Sequence, residues 1–264
     1  MNEPTRHENS LAAPLRMQLA LPRFGIAPPL DERFLTWMAA RVELEPRPLL
    51  GVSFDAAHER IAWFSESGPP VVGPAGATGR GAWIGADGTA EDEGSFATGA
   101  IDVVAAFEAA PVDLHGPSQD AVERWGRDTG ASVARLEYCT SGRPHVSLSL
   151  EPPSDDTVDQ AMAGLDLFRA LGVEGPPPTV LAPLLNANGA LRAVVALVAN
   201  GVRAAGFSAA LDQERVVQLL VATDGTTVTP CAETLGVLGV DTPAEMSALN
   251  TSAGTRVLLH APVG

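Results

Sequence analysis

The chain contains no lysine. All 17 of its basic residues are arginine, set against 32 acidic residues for a formal charge of -15. A Walker phosphate loop uses a lysine to reach the terminal phosphates, so Gly73 to Gly85 reads as a flexible loop and not as a nucleotide cradle. The negative balance also excludes non-specific affinity for nucleic acid or for an anionic membrane surface. Cysteine is scarce as well. Cys139 and Cys231 stand far apart, without the spacing of a disulfide framework or a zinc site, and are expected to be unpaired thiols in a reducing compartment. No apolar run approaches the length of a bilayer span: Ala193 to Ala199 is short and flanked by Arg192 and Arg203. Met1 to Ser10 carries Glu3, Arg6, His7 and Glu8, unlike a secretory signal. These absences point to a cytoplasmic protein with neither a nucleic-acid nor a membrane partner. They set no oligomeric state.

Several catalytic signatures are missing too. His58-Glu59 has no second histidine four residues on, and Gly51-Val52-Ser53-Phe54-Asp55 ends in the wrong residue for a nucleophile elbow. The acidic run of Asp87, Glu91, Asp92 and Glu93 does not follow an EF-hand pattern and reads as a solvated loop. No metal ligand set and no cofactor motif is indicated.

What is present is enough apolar residue, 45% of 264, to build a substantial core. Residues 1–15 read as a mobile lead, 16–172 as a first helix and hairpin unit, and 173–264 as a second, the two packed as one domain. Asp31 to Val42 has helical spacing behind a capping aspartate. A hairpin follows at Leu49 to Phe54 and Arg60 to Ser65, then a Gly- and Pro-rich stretch, Glu66 to Gly99, expected to be a lid or a poorly ordered excursion. Helices are expected at Ile101 to Ala110 and at Ser118 to Asp128, the second capped by Ser118. A second hairpin, Ser132 to Cys139 with His145 to Leu150, alternates cleanly. Helix Asp155 to Leu171 runs into a proline-rich break, and Leu191 to Ala199 with Val202 to Ser208 flank Asn200-Gly201, a strong hairpin signal whose two-residue turn would set Arg203 opposite Val198, on one face with Val194, Ala196, Ala205 and Phe207. Helices at Asp212 to Val221 and Thr242 to Leu249, then a strand from Thr255 to His260, complete the pattern. The fold class is therefore α+β: an antiparallel sheet curved toward a barrel, with helices on the outer face. The shared pattern R-x-A-x-F-S, at Arg60 to Ser65 and Arg203 to Ser208, suggests a two-fold internal pseudo-repeat.

Chemistry concentrates on the second hairpin. Alternation sets Ala134, Leu136 and Tyr138 with Val146, Leu148 and Leu150 on one face. Arg135, Glu137 and Cys139 with His145, Ser147 and Ser149 take the other. So polar a face does not pack against helices; it meets water or lines the lumen of a barrel. A turn pairing Cys139 with His145 would bring thiol and imidazole together, the arrangement of a cysteine nucleophile.

The order of elements from Asp31 to His260, carried by Leu49 to Ser65, Ser132 to Leu150 and Leu191 to Ser208, resembles the ABBA, or prenyltransferase-barrel, family of aromatic prenyltransferases. That resemblance implies an enzyme whose substrates are small molecules, an anionic allylic diphosphate and an aromatic acceptor. It makes Arg60, Arg135, Arg203 and Arg256 candidates for holding the diphosphate, with Ser147 and Ser149 beside them, and Glu137 or His145 candidates for orienting or deprotonating the acceptor. The chain departs from the family in having no lysine and a single tyrosine, Tyr138, which falls on the apolar face, and in showing fewer strands than a ten-stranded barrel requires unless Trp83 to Gly99 and Thr179 to Leu185 supply some. Two other functions fit the same residues: a non-catalytic binding or assembly protein whose hairpins form an interface, and a cysteine-nucleophile enzyme.

Overall fold

Hydrophobic alternation does most of the folding work in this chain, and the computed structural model shows where it is interrupted. The structure describes residues 49–55, 60–66, 78–85, 90–110, 112–139, 144–187, 189–224, 245–252 and 254–263. Before Gly99, after Leu258 and at Cys139, Gln213 and Asp224 the description is of backbone alone. The expected helix at Asp31 to Val42, the lead at residues 1–15 and Cys231 lie outside the described residues.

Among the described residues there are ten strands: β1 (Leu49–Asp55), β2 (Arg60–Glu66), β3 (Thr78–Gly85), β4 (Ala90–Asp102), β5 (Ser132–Cys139), β6 (His145–Glu151), β7 (Arg192–Val198), β8 (Gly201–Ala209), β9 (Glu245–Thr251) and β10 (Gly254–Val263). Every pairing is antiparallel between strands consecutive in the chain. β1 also pairs with β10, so the ladder closes into a barrel. Closure leaves no free strand edge, a direct way to satisfy every backbone donor and acceptor of a sheet.

Five helices among the described residues, α1 (Val103–Ala109), α2 (Pro117–Thr129), α3 (Thr157–Ala170), α4 (Pro178–Leu185) and α5 (Gln213–Asp224), occupy connections between successive hairpins. Their starts are chemically marked. Asp102 accepts from the Val104 and Ala105 amides at 2.9 and 3.1 Å, and Asp156 from Val158 and Asp159 at 2.7 and 3.3 Å, each satisfying donors a helix leaves unpaired. α2 differs from expectation. It begins at Pro117 after Gly116 with no side-chain cap, because the fixed proline φ already suits the first turn and makes the serine cap unnecessary.

The helices bury one face of the sheet. Phe168 of α3 meets Phe207 of β8 edge-on at 5.1 Å between ring centroids, and Val122, Leu184 and Leu219 join Leu148, Val195 and Met246 in the same core. Each such side chain taken from water contributes about 1.5–3 kcal/mol. A separate apolar group, Val194, Ala196, Ala204 and Leu249 with Leu258, lies on the opposite, inward face.

Three expectations are corrected. Glu66 to Gly99 is not a loop throughout, since β3 and β4 cross it and pair with each other. Thr242 to Leu249 is not a helix: Glu245–Thr251 is β9, held between β8 and β10. Thr179 to Leu185, a possible extra strand by composition, is helix α4, entered through Pro178.

A polar inner wall as candidate functional site

Alternation fixes which side chains turn inward. On β6, Val146, Leu148 and Leu150 go to the helix-facing core, so His145, Ser147 and Ser149 take the other face. The β5–β6 register pairs Cys139 with His145, Glu137 with Ser147 and Arg135 with Ser149, as the alternation predicts. A bulge between Val133 and Arg135 keeps both Val133 and Leu136 in the core while Arg135 stays inward. Five of the predicted site residues, Arg135, Glu137, His145, Ser147 and Ser149, thus share two adjacent strands.

Within this group Arg135 and Glu137 form an ion pair, Nε to Oε1 at 2.5 Å, with their side chains 19% and 15% exposed. The expected division of labour, arginine for an anion and glutamate for the acceptor, therefore starts from two groups already neutralising each other. His145 is 7% exposed, and Ser149 is also buried.

Arg203 departs from expectation. The two-residue turn is Ala199-Asn200, with Gly201 at a φ of 138° opposite Val198. Val202 faces Leu197 and Ala204 faces Ala196, which leaves Arg203 as the extra residue of a bulge and not opposite Val198. The bulge also inverts the alternation. Ala205 and Phe207, expected on one face with Val194 and Ala196, pack instead in the helix-facing core, and Ala204 joins Val194 and Ala196 inside.

Continuing the register around the wall, Arg135 faces Ser149, Ser149 faces Val194, Val194 faces Gly206, Gly206 faces Leu249 and Leu249 faces Arg256. Gly206 is required here by space, since a Cβ would lie 1.9 Å from the Ala248 carbonyl oxygen. The next row runs from Arg192 through Ser208 and Ser247 to Leu258.

That second row holds a constellation that composition did not reveal. Arg192, the first residue of β7, donates from Nε to Glu151 Oε2 on β6 at 2.7 Å. Its other arm lies 3.5 Å from Glu245 Oε1 on β9. To do so the guanidinium reaches past β8, the strand that carries Ser208. Burial opposes the charge on Arg192, but the carboxylates of Glu245 and Glu151 outweigh it and raise the pKa above the ordinary arginine value. Ser208 Oγ is wholly buried and has no hydrogen-bond partner. Glu151 continues the polar parity of β6, but Arg192 shares its face with Val194 and Ala196, so no polar alternation on β7 marked the pair.

A cavity of about 540 Å³ lies elsewhere, between the start of α3 and the end of α4, lined by residues that include Asp155, Asp156, Ala182 and Asn186. None of the candidate arginines lines it. Among the described residues no group of three or more His, Cys, Asp or Glu could hold a metal ion, and no helix is long and apolar enough to cross a membrane.

No family model and no curated protein matches the chain by sequence. Solved structures do match it in shape. The chain is similar to 5-dimethylallyl tryptophan synthase from Streptomyces coelicolor, solved in complex with DMASPP and Trp, with a TM-score of 0.63 and 11% identity over 99% of this chain and 96% of that one. It is also similar to AnaPT from Neosartorya fischeri, with a TM-score of 0.54 and 7% identity over 82% of this chain and 78% of that one. The chain has the prenyltransferase-barrel fold.

The ends of this prenyltransferase barrel differ in what they carry. All five hairpin turns lie at one end, because each hairpin joins neighbours in the ring. Arg60 opens β2, while Arg203 and Arg256 are each the third residue of their strands, so all three belong to the turn end. Going round the ring from β2 to β8, β10 falls midway, which sets Arg256 between the other two. Arg135 is not with them, since β5 stands across the ring from β10. Arg192, Glu151 and Glu245 occupy the opposite end, where the helical connections begin and finish.

Proposed function

We propose that this chain is an enzyme that transfers a prenyl group from an allylic diphosphate to an aromatic acceptor inside the barrel. One observation carries the proposal: on β5 and β6 the inward face bears Arg135, Glu137, His145, Ser147 and Ser149, with Arg256 inward on β10, while Leu136, Val146, Leu148 and Leu150 turn outward to the helices. Likeness to a dimethylallyl tryptophan synthase along nearly the whole chain supports it.

Arg60, Arg203 and Arg256 at the turn end would hold the diphosphate, charge-assisted hydrogen bonds favouring its departure as an anion. The allylic C–O bond breaks, the electron pair leaves with the diphosphate, and the aromatic ring attacks the carbocation to form the new bond. A ring proton then passes to Glu137 or His145. Arg135, Ser147 and Ser149 would orient the substrates from β5 and β6. The matched positions of Arg60 and Arg203, each near the start of a second hairpin strand, fit an internal repeat that supplies one cation from each half.

The test is incubation of the purified protein with dimethylallyl diphosphate and a panel of indoles and phenols. Diphosphate release and an acceptor mass increased by one prenyl unit should appear together. Absence of product, together with no thermal stabilisation by the diphosphate at concentrations where a specific ligand adds about 2–3 kcal/mol, would leave a non-catalytic binding protein. A second reading follows from the Cys139–His145 register, which sets a thiol position opposite an imidazole position. Loss of all activity on alkylating Cys139, with diphosphate binding unchanged, would favour it.

A further inference from the structure

The large hydrophobic side chains left exposed among the described residues are gathered in one sector of the outer surface. Val158 and Met162 of α3 are 58% and 53% exposed, and Val217 and Val221 of α5 are 41% and 59% exposed. Single exposed hydrophobics are ordinary. These are two pairs, each spaced i,i+4 and so each a ridge along one helix face. Between the two helices lies α4, which packs on both and leaves Pro178 and Ala182 exposed. Other residues hold the helices to the barrel, Leu167 and Phe168 on α3 and Val216, Leu219 and Leu220 on α5. The outward ridges are therefore not needed for that packing.

A hollow opens into this surface. The Thr157 hydroxyl donates to the Leu185 carbonyl at 2.9 Å, which fixes the start of α3 beside the end of α4. The cavity of about 540 Å³ there is lined by Val158, Ala182 and Leu185 together with Asp155 and Asp156. Charge around it is of one sign. Arg169 is paired with Asp166 at 2.5 Å and Arg215 with Asp212, which leaves Asp155, Asp156 and Asp159 at the start of α3 and Glu214 on α5 with no paired cation among the described residues. The surface thus fits an apolar occupant of net positive charge. A second copy of the chain, at a charge of -15 and with the same acidic surface, is opposed by like-charge repulsion.

One segment outside the described residues has the required chemistry. Arg16 to Leu30 combines Arg16 and Arg23 with Met17, Leu19, Leu21, Phe24 and Ile26, and contains no acidic residue. The other long segment outside them, 225–244, carries Glu233 and Asp241 and no arginine. Reach is sufficient as well. β1 begins at Leu49 and pairs with β10, on which α5 packs. Residues 31–48, extended at about 3.3 Å each, cross up to about 60 Å. We infer that Arg16 to Leu30 docks on the outer faces of α3, α4 and α5 of its own chain, its apolar side chains covering the two ridges and its arginines meeting the acidic start of α3. The inference is independent of prenyl transfer.

Limited trypsin digestion of the full chain with mass spectrometry tests it, because in a chain without lysine trypsin cuts only after arginine. Cleavage after Arg23 should be about tenfold or more slower than after Arg6, which precedes the docked segment. Met162→Gln with Val221→Gln, a neutral change suited to a helix, should speed cleavage after Arg23 about threefold to tenfold and leave Arg6 unchanged. Asp155→Asn with Asp159→Asn should act in the same direction through charge, as should added salt. Circular dichroism establishes folding, and if the first double variant fails to fold the second decides. Equal cleavage after Arg23 and Arg6 in the natural chain overturns the inference, and so does protection of Arg23 that survives the folded variants. A chain that sediments as a dimer and becomes monomeric in Met162→Gln with Val221→Gln would give the surface to a second copy and overturn it too.

Discussion

Arg192 and Glu151 are joined across the β6–β7 seam by a 2.7 Å hydrogen bond between charged groups, and the same guanidinium reaches Glu245 two strands further round the barrel. One side chain thereby ties three strands at the end where the helical connections enter. Its cost and benefit are of opposite sign: desolvation works against the charge, and the two carboxylates more than offset it.

Removing the guanidinium should therefore destabilise the fold more than removing either carboxylate. With Arg192 at 29% and Glu151 at 35% side-chain exposure, solvent screens part of the loss. Arg192→Met is expected to lower stability by about 1–3 kcal/mol, and Glu151→Gln by less. Because the pKa of Arg192 is raised, its contribution is fully present below the unfolded-state arginine value and fades only above it. The deficit of Arg192→Met should thus be flat across neutral pH. Urea midpoints at several pH values check this, and a deficit that appears only at low pH would show that another group is responsible.

Gly164 sets two effects against each other. In a helix interior alanine is better than glycine by about 1 kcal/mol. Here, however, a Cβ would lie 2.4 Å from Phe207 Cε1 and 2.9 Å from its Cζ. That ring is wedged against Phe168 and cannot swing away freely. Overpacking of this kind costs about 1–3 kcal/mol, so Gly164→Ala should come out destabilising despite its propensity gain. A raised melting temperature would mean that α3 can lift off β8 at little cost.

Gln160 bridges two backbone groups from a position only 2% exposed. Its Oε1 accepts from the Leu191 amide at 2.7 Å, and its Nε2 donates to the Ser154 carbonyl. Gln160→Leu strands a buried donor just before β7 begins, at about 1–3 kcal/mol. Faster hydrogen exchange at Leu191, with exchange in β5 unchanged, is the expected signature.

These contrasts show what the sequence could disclose. In the β5–β6 hairpin the facing of Arg135, Glu137, Ser147 and Ser149 was legible, because they interleave with Leu136, Tyr138, Val146 and Leu148, but the bulge that sets Val133 in the core where Ala134 was expected was not. Of β3 and β4 only Trp83-Ile84 gave a strand signal, since Gly79-Arg80-Gly81 and Glu91-Asp92-Glu93-Gly94 lack strand-forming side chains and gain their order from paired neighbours. Glu245-Met246-Ser247-Ala248-Leu249 has helix formers at most positions, and sheet closure overrides that preference. The bulge at Arg203 left no local mark, yet it decided which of Ala204 and Ala205 faces inward. Arg60, Arg135, Arg203 and Arg256 could be named from strand position; Arg192 could not, because it and Glu245 are 53 positions apart in sequence and meet only once β8 lies between them.

The arginines at the turn end and on β5 can be separated by their effect on diphosphate binding. Arg256 faces Leu249 on the inner wall near the turns, whereas Arg135 stands across the ring and already neutralises Glu137 at 2.5 Å. If the diphosphate is held at the turn end, Arg256→Ala should weaken dimethylallyl diphosphate about tenfold to a hundredfold, each charge-assisted hydrogen bond contributing about 1.5–3 kcal/mol. Arg135→Ala should do less to the diphosphate and more to turnover, because it removes the guanidinium that holds the Glu137 carboxylate in place. A double variant, Arg135→Ala with Glu137→Gln, should then recover diphosphate affinity but not activity. Calorimetric titration of dimethylallyl diphosphate into the four proteins, with circular dichroism to establish folding, distinguishes the two roles. Equal losses at Arg135 and Arg256 would place the anion across the middle of the barrel, and no loss at Arg256 would remove the turn end from the diphosphate site altogether.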